Sequence, residues 1–147
     1  MSYSERELLA RIIKCEAGGE GDNGMKAVAT SIMNRVRIFG GEYHRIGQGD
    51  IRKILYQKGQ YDCMYPVLGG VANPQTIWAN PPDQIHYDIA DWALAGNRLF
   101  PIGYSLWYLN PYIPECAYFF PYNGSGTFQI KVLQHCFYDP TAKYFQT

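Results

Sequence analysis

The apolar residues in the first forty positions recur at intervals of three and four, which is the spacing of one face of an α-helix. Ser4 and Glu7 form a capping box ahead of the first such run. The run stops at the glycine pair at positions 18 and 19, so a first helix is predicted between these points. A second helix is predicted from about Asp22 to just before Gly40. Its apolar face comprises Met25, Val28, Ala29, Ile32, Met33 and Val36.

Shorter segments follow in the middle of the chain. A short helix is predicted after Asp50, whose side chain can cap it. Residues 63–82 are rich in Gly, Pro and Asn and predict an irregular loop. Asp83 then begins a longer helix that is predicted to end at Gly96 and Asn97. These segments bring the number of predicted helices to about four.

The last third of the sequence changes from helical spacing to runs of aromatic and branched residues. Residues 104–109 and 128–133 are predicted as strands on this ground. They are expected to pair antiparallel, as a hairpin or small sheet, across the Pro- and Gly-rich segment between them. Helices followed by strands predict an α+β fold. The length of 147 residues, without a repeat or a linker, predicts one domain over residues 1–147.

Charge and hydropathy narrow the classes of partner. Thirteen Lys and Arg residues balance thirteen Asp and Glu residues, so no nucleic acid and no anionic membrane surface is expected as a partner. No stretch approaches about 18 uninterrupted apolar residues, so no membrane span is predicted. The first residues lack the basic and apolar regions of a signal peptide. The chain is therefore expected to be made in the cytoplasm.

The cysteines and histidines are scattered and predict no metal site and no cofactor. None of the cysteines has the C-x-x-C spacing, and no histidine pair has the spacing of a metal motif. The favoured interpretation of the cysteines is separate buried thiols. A Cys116–Cys136 bridge is the alternative, which would need a later oxidising environment. The residues concerned are Cys15, Cys63, Cys116 and Cys136, with His44, His86 and His135.

Glu16 is the first candidate for chemistry. It lies on the same predicted helix face as Leu9, Ile12 and Ile13, so its carboxyl group is expected to be partly removed from water, which raises its pKa. It also lies in the last helical turn, where the negative end of the helix dipole favours the protonated form. A carboxyl group with a raised pKa is suited to general acid catalysis near neutral pH. The alternative is an ordinary glutamate at a helix end that points to water.

Glu20 is the second carboxylate in this region. On a continuous helix, its spacing from Glu16 would bring the two carboxylates together, as in a retaining glycosidase. The glycines between them are expected to break the helix. Glu20 also lies just ahead of the second helix, where the dipole stabilises its charged form. Glu16 is therefore predicted to be the acid, and Glu20 is predicted to order the turn.

Six segments of the chain match, in order, the motifs of a known family. They are residues 9–21 (LARIIKCEAGGEG), 24–29 (GMKAVA), 34–36 (NRV), 54–61 (ILYQKGQY), 105–111 (SLWYLNP) and 135–141 (HCFYDPT). With these segments the chain resembles the SleB/CwlJ cell-wall hydrolases, the spore-cortex-lytic enzymes, and it is most similar to the CwlJ branch. The family often has Arg at position 18, Pro at 58 and Phe at 61. These departures leave Glu16 untouched, and it matches the catalytic glutamate of the family.

The resemblance implies an enzyme that cleaves the bond from N-acetylmuramic acid to N-acetylglucosamine in cortex peptidoglycan carrying muramic δ-lactam. It implies a fold like that of lysozyme or a lytic transglycosylase, with Glu16 on the first helix. A lytic transglycosylase needs one carboxyl group, because the C6 hydroxyl of the sugar attacks C1 and closes a 1,6-anhydro ring. The resemblance further implies action in spore germination, deposition in the spore coat or cortex region, and a spore-coat protein as a further candidate partner.

The matched segments also supply candidate substrate contacts. Aromatic faces are expected to stack on sugar rings, and Asn110 is expected to bind an acetamido group. Because neighbours on a strand point to opposite faces, at most one of Trp107 and Tyr108 can face the groove, and Tyr108 is favoured. The predicted substrate-binding residues are Tyr61, Tyr108, Asn110, Glu20 and His135.

Two other functions stay open at this point. An N-acetylmuramoyl amidase would need a metal or a Cys/His nucleophile, and the sequence offers no convincing ligand set. A non-catalytic cortex-binding or coat protein would suit the high Tyr content. In that case the unfavourable free energy of placing Glu16 on an apolar face would have no functional explanation.

Overall fold

Local capping determines where the first helix begins. Helix α1 (Glu5–Ala17) begins behind Ser4, whose hydroxyl accepts a hydrogen bond from the backbone N–H of Glu7 at 3.1 Å. Helix α2 (Gly21–Arg37) follows after a short turn. Both helices confirm the elements predicted from the spacing of apolar residues. The computed structural model describes residues 3–121 and 124–147.

The later helices are shorter, and one of them was not predicted. Helix α3 (Gly41–Gly47) has glycine at both ends and is too short to show a helical period. Helix α4 (Ile51–Leu55) begins at Asp50 as predicted, because the Asp50 side chain accepts a hydrogen bond from the next turn. Helix α5 (Gln84–Leu94) begins behind Asp83, also as predicted.

Helices α1, α2 and α5 pack against one another and bury the predicted apolar stripes. Leu9, Ile12 and Ile13 of α1 are fully buried, as are Val28 and Ile32 of α2. Burying one such aliphatic side chain contributes roughly 1.5–3 kcal/mol to folding. Within the described ranges, no helix is long and apolar enough to cross a membrane.

The segment between α4 and α5 is mostly irregular, as predicted for residues 63–82. It contains one turn of 3-10 helix (Asp62–Met64). It also contains a small hairpin of β1 (Val67–Leu68) and β2 (Val71–Ala72). The 3-10 turn lies against α1, so this loop forms one wall beside the end of that helix.

The remaining strands form one antiparallel sheet whose order is β3-β5-β4. The predicted pairing of residues 104–109 with residues 128–133 is wrong. An unpredicted strand lies between them, and its Tyr138 is opposite both Trp107 and Phe128. The strands are β3 (Trp107–Leu109), β4 (Gly126–Val132) and β5 (His135–Pro140).

The short turn between β4 and β5 explains this topology. Leu133 adopts a left-handed φ of 52° there, which suits a tight hairpin turn. Closing so short a loop costs less conformational entropy than closing the long segment between β3 and β4. Strand β5 escaped prediction because its residues 135–138 are all buried. A strand buried on both faces has no alternation of polar and apolar positions.

The cysteines are paired, which corrects the expectation of separate buried thiols. Cys116 and Cys136 form a disulfide with a Cα–Cα distance of 5.8 Å, as in the alternative interpretation. Cys15 and Cys63 form a second disulfide, with a Cα–Cα distance of 6.4 Å. The fold brings each pair together from distant parts of the chain, and sequence spacing cannot show this. In the chain-entropy model, each bridge stabilises the fold by roughly 3–4 kcal/mol when oxidised.

Tyr144 joins the C-terminal end of the chain to α3 and to the sheet. Its hydroxyl donates to the carbonyl of Gly40 and accepts from the backbone N–H of Tyr43, each at 3.0 Å. Its ring also meets the edge of Trp107, with 5.5 Å between ring centroids. Gly41 passes directly beneath this ring, because a Cβ atom at that position would lie 2.3 Å from Cε2 of Tyr144.

We expect Gly41→Ala to destabilise the fold by about 2–4 kcal/mol, since overpacking adds to the strain of its φ of +71°. Gly49→Ala is the matched control, because Gly49 has a φ of +81° with no neighbouring atom within 4 Å. It should lose only about 1–2 kcal/mol, the cost of the left-handed backbone alone. Urea unfolding of both variants measures the difference. Equal losses would show that contact with Tyr144 does not limit this position.

Candidate active site

An open cavity of about 860 Å³ lies at the C-terminal end of α1. Its walls are the turn between α1 and α2, the loop before α5, the end of β3, and the turn between β4 and β5. The cavity is large enough for part of a glycan chain. It gathers five residues predicted for the site, which are Glu16, Glu20, Tyr108, Asn110 and His135.

Glu16 lies in the last turn of α1, partly buried, at the cavity wall. Its Oε1 accepts a hydrogen bond of 2.8 Å from the hydroxyl of Tyr108. Burial raises the pKa of Glu16, whereas the Tyr108 hydrogen bond and the charge of Arg35 lower it. The charge of Asp62 raises the pKa again, and burial prevails, so the net shift is upward. This is the direction expected from the apolar face of the helix.

Arg35 is a buried cation behind this site. Its Nε donates to the carbonyl of Leu106 at 2.5 Å, and its Nη1 donates to the hydroxyl of Tyr61 at 3.0 Å. The guanidinium lies over the ring of Tyr108, with 5.6 Å to the ring centroid. Burial opposes the charge of Arg35, but the tyrosines around it and Glu16 outweigh burial and raise its pKa. Arg35 therefore keeps a positive charge close to the Glu16 carboxyl group.

Tyr61 does not take the position predicted for it. Only 1% of its surface is exposed, and it does not line the cavity. Burial raises the pKa of Tyr61 to about 12, so its hydroxyl stays neutral and accepts the hydrogen bond from Arg35. The predicted stacking of Tyr61 on a sugar is therefore corrected to a supporting contact with Arg35.

Trp107 and Tyr108 point to opposite sides of β3, as the alternation of strand side chains predicts. Trp107 is buried, with 6% exposed, and packs in the core. Tyr108 lines the cavity. Its hydroxyl donates the hydrogen bond to Glu16. Its ring packs edge-to-face with His135, with 5.5 Å between ring centroids. Tyr108 thus orients the carboxyl group, a role that the predicted stacking on sugar did not include.

Glu20 connects two turns of the cavity wall. One of its oxygens accepts a hydrogen bond from the backbone N–H of Gln134 at 3.0 Å, and the other pairs with Nδ1 of His135. Burial lowers the pKa of His135, and the Glu20 carboxylate opposes this effect. Asn110 donates from its side-chain amide to Gln134 at 3.3 Å and accepts from the backbone N–H of Tyr112 at 2.8 Å. Glu20 therefore orders its turn, as predicted, through contacts with the sheet.

Asp62 is the main residue of this cavity that was not predicted. It is exposed on the 3-10 turn and lines the cavity, and its charge acts on Glu16. Lys14 and Asp83 also line the cavity, with 3.7 Å between Nζ and the nearest carboxylate oxygen. The loop carries no periodic pattern that could have revealed these positions. The only nearby indication in the sequence was the segment that matches the family and ends at Tyr61.

Cys15, Glu16 and Cys63 are the residues in the described ranges that could hold a metal ion. One donor atom from each lies within 4.8 Å of the other two. Both sulfurs are joined in a disulfide, and a metal is bound by the thiolate form of cysteine. In this oxidised form the group offers only the carboxylate as a strong ligand.

Comparison with known proteins identifies the family of this chain. Residues 19–138 match the family model described as Cell Wall Hydrolase. The chain belongs to the cell wall hydrolase family. The expected SleB/CwlJ membership is thereby confirmed, and with it the expectation of a peptidoglycan-degrading enzyme. Glu16 lies just ahead of the matched residues, so its role depends on the geometry of the cavity.

Relatives of this cell wall hydrolase match over nearly their full length. Cell wall hydrolase CwlJ of Oceanobacillus iheyensis is 31% identical, over 95% of this chain and 89% of that protein. CwlJ of Bacillus subtilis is 29% identical, over 93% of this chain and 86% of that protein. The catalytic domain of the germination-specific lytic transglycosylase SleB of Bacillus anthracis has a similar fold. It gives a TM-score of 0.66 at 19% identity, over 95% of this chain and 97% of that one.

We expect Tyr108→Phe to raise the pKa of Glu16 further, because the substitution removes the hydrogen bond that stabilises the carboxylate. A ¹³C NMR titration of the Glu16 carboxyl carbon measures this directly. Tyr112→Phe is the matched control, since Tyr112 lines the same cavity but the residue is 88% exposed. An unchanged Glu16 titration in Tyr108→Phe would show that this hydrogen bond does not control the carboxyl group.

Proposed function

We propose that this cell wall hydrolase cleaves the MurNAc–GlcNAc glycosidic bond of peptidoglycan, with Glu16 as its catalytic acid, in the manner of a lytic transglycosylase. The observation that carries the proposal is the carboxyl group of Glu16. It lies on the wall of an open cavity, burial raises its pKa, and Tyr108 holds one of its oxygens. A carboxyl group in such a setting keeps its proton until a substrate oxygen can receive it.

The proposed reaction uses this one carboxyl group twice. Glu16 donates its proton to the glycosidic oxygen, the bond from C1 to that oxygen breaks, and positive charge develops at C1 of the muramic sugar. The C6 hydroxyl of the same sugar then attacks C1 and returns its proton to Glu16, which closes a 1,6-anhydro ring. The nucleophile is part of the substrate, so proximity replaces a second carboxylate.

Arg35 and Tyr108 support the middle of this cycle. Once the proton has left, Glu16 is an anion in a partly buried site. The Tyr108 hydrogen bond and the charge of Arg35 both favour that anion. These groups are in place before the reaction, so they stabilise the charge without having to reorganise. Burial therefore favours the protonated form of Glu16 before cleavage, and Tyr108 and Arg35 favour the carboxylate that remains after proton transfer.

Asp62 supports a second candidate, which is hydrolysis by water. Inverting glycosidases use one carboxylic acid and one carboxylate that activates water, on opposite sides of the bond. Asp62 is a second carboxylate in the cavity whose charge acts on Glu16. Hydrolysis would leave reducing ends, whereas transglycosylation leaves 1,6-anhydro ends. The products therefore separate the two reactions.

An N-acetylmuramoyl amidase has less support at this site. A cysteine nucleophile acts as its thiolate. The two cysteines beside Glu16, Cys15 and Cys63, are joined to each other. Free lactyl groups on the muramic sugar would identify this reaction.

The relatives suggest the biological substrate and setting. One solved neighbour is described as germination-specific, and the relatives include CwlJ proteins of Bacillus and Oceanobacillus. We propose that the substrate is spore-cortex glycan carrying muramic δ-lactam and that the enzyme acts in germination. We further propose deposition in the spore coat or cortex region, where a coat protein would be its partner. The whole chain, residues 1–147, would then act as one catalytic domain.

We expect Glu16→Gln to lose at least about 100-fold in cleavage of isolated cortex, because glutamine cannot donate and recover a proton. Asp62→Asn is the matched variant in the same cavity, and it should still form 1,6-anhydro muropeptides. Mass spectrometry of the released muropeptides measures both. Substantial cleavage by Glu16→Gln would refute the assignment of the acid. Reducing ends whose formation depends on Asp62 would favour hydrolysis instead.

The pKa of Glu16 also predicts how stability depends on pH. Its folded pKa lies above the unfolded value of about 4.3, so its effect on stability is fully favourable below that value. This contribution of Glu16 to stability is lost as pH rises through the folded pKa. Glu16→Gln should therefore match the parent at acid pH and become more stable than the parent toward neutral pH. Thermal melts from pH 4 to 8 test this, with Glu5→Gln on the exposed side of α1 as control. Parallel curves for Glu16→Gln and the parent would contradict it.

A further inference from the structure

The second oxygen of Glu16 faces sulfur. While Tyr108 binds Oε1, Oε2 lies 4.0 Å from Sγ of Cys63. That sulfur is bonded to Cys15 and has no hydrogen to donate. The disulfide therefore leaves Oε2 without a proton donor on this side. Reduction would place two thiols beside the same oxygen.

We propose that Cys15, Cys63 and Glu16 form a zinc site when the disulfide is reduced, and that zinc bound there takes Glu16 out of catalysis. The three donor atoms already lie within 4.8 Å of one another. In a tetrahedral site, Zn–S distances of about 2.3 Å and Zn–O distances of about 2.0–2.2 Å place ligand atoms roughly 3.5–3.8 Å apart. The silencing part of this inference rests on the proposed function of Glu16.

The two sulfurs differ in their exposure to the cavity. A reductant in the cavity can therefore reach one of them. Cys15 lines the cavity, whereas Cys63 is fully buried. A small dithiol can attack Sγ of Cys15 and release the thiol of Cys63. Its second thiol then completes the exchange. Two electrons pass from the dithiol to the protein disulfide, and the dithiol itself becomes a disulfide.

The charges around the site suit a bound zinc ion. Binding releases the protons of both thiols and of Glu16, so the three ligands carry three negative charges and the ion carries two positive ones. Arg35 is close enough for its positive charge to act on Glu16, and it offsets the remaining negative charge. The fourth zinc position would face the cavity and take a water molecule.

The consequence is a catalytic acid that depends on redox state. A Glu16 carboxylate bound to zinc cannot hold the proton that cleavage requires. Oxidation by a small-molecule disulfide removes two electrons from the thiolates, forms the Cys15–Cys63 bond and releases Zn²⁺. The enzyme would thus be inactive where thiols are reduced and zinc is present, and active after oxidation.

The test uses the full chain reduced with a phosphine, with Co²⁺ as a spectroscopic probe for zinc. We expect one Co²⁺ per chain, with a thiolate-to-cobalt charge-transfer band that Zn²⁺ displaces. Cys15→Ser and Cys63→Ser should lose the band. Glu16→Gln should bind Zn²⁺ at least about 100-fold more weakly, because loss of a supporting contact alone costs 10–100-fold.

The matched control is the double variant Cys116→Ser/Cys136→Ser, which lacks the other disulfide and should keep the band. Circular dichroism of the reduced parent is the folding reference for the Cys15 and Cys63 variants, because all of these proteins lack that bridge. A reduced parent without the thiolate band, or a band that persists in Cys15→Ser, would overturn the site.

Cleavage of soluble glycan fragments then tests the silencing. Stoichiometric Zn²⁺ should inhibit the reduced parent at least about 10-fold, and a chelator should restore it. Each cysteine variant, compared with its own zinc-free rate, should not respond. Zinc that binds through thiolates but leaves cleavage unchanged would overturn the silencing and would count against Glu16 as the acid. Cleavage that needs Glu16 in a reduced chain lacking the thiolate band would overturn the zinc site alone and leave the proposed function standing.

Discussion

The buried charge of Arg35 is the constraint on which the site depends. A guanidinium removed from water is costly unless its donors are satisfied, and here they bind the carbonyl of Leu106 and the hydroxyl of Tyr61. These contacts join α2 to the start of β3 and to the loop ahead of the 3-10 turn. The same cation lies over Tyr108. Helix α2, the sheet and the loop therefore meet at one charge, and that charge acts on Glu16.

That arrangement gives Glu16 two opposing influences. Burial at the end of α1 favours the neutral carboxylic acid, whereas Arg35 and Tyr108 favour the carboxylate. In the proposed reaction Glu16 must both give up and regain a proton, so the groups that favour each form assist one half of the cycle. The carboxyl group lies on the wall of the open cavity, and the Cys15–Cys63 bridge links the neighbouring loop to the end of α1. The surroundings of this carboxyl group thus follow from how three separate chain segments are held together.

Much of the fold could be predicted where structure is set by near neighbours. The capping side chains of Ser4 and Asp50 lie beside the helices that they begin, so their effect is visible in the sequence. The pairing of β3 was not visible in this way. It depends on β5, which is buried on both faces and shows no alternation, and on a short turn at Leu133 that pairs β4 with β5. Competition between possible strand partners is decided by the whole chain.

The sequence by itself determined that Glu16 shares a helix face with apolar residues, and from this it predicted that the carboxyl group is partly desolvated. It also carried the motifs of the family to which the chain belongs. Only the tertiary structure decided which groups oppose that desolvation, namely Arg35 and Tyr108, and that Asp62 and the bridged Cys63 lie beside the same carboxyl group. The physical reason is how far apart along the chain the interacting residues lie. Desolvation on a helix face follows from residues three or four positions apart, whereas charge, hydrogen bonding and disulfide pairing act between segments that only folding brings together.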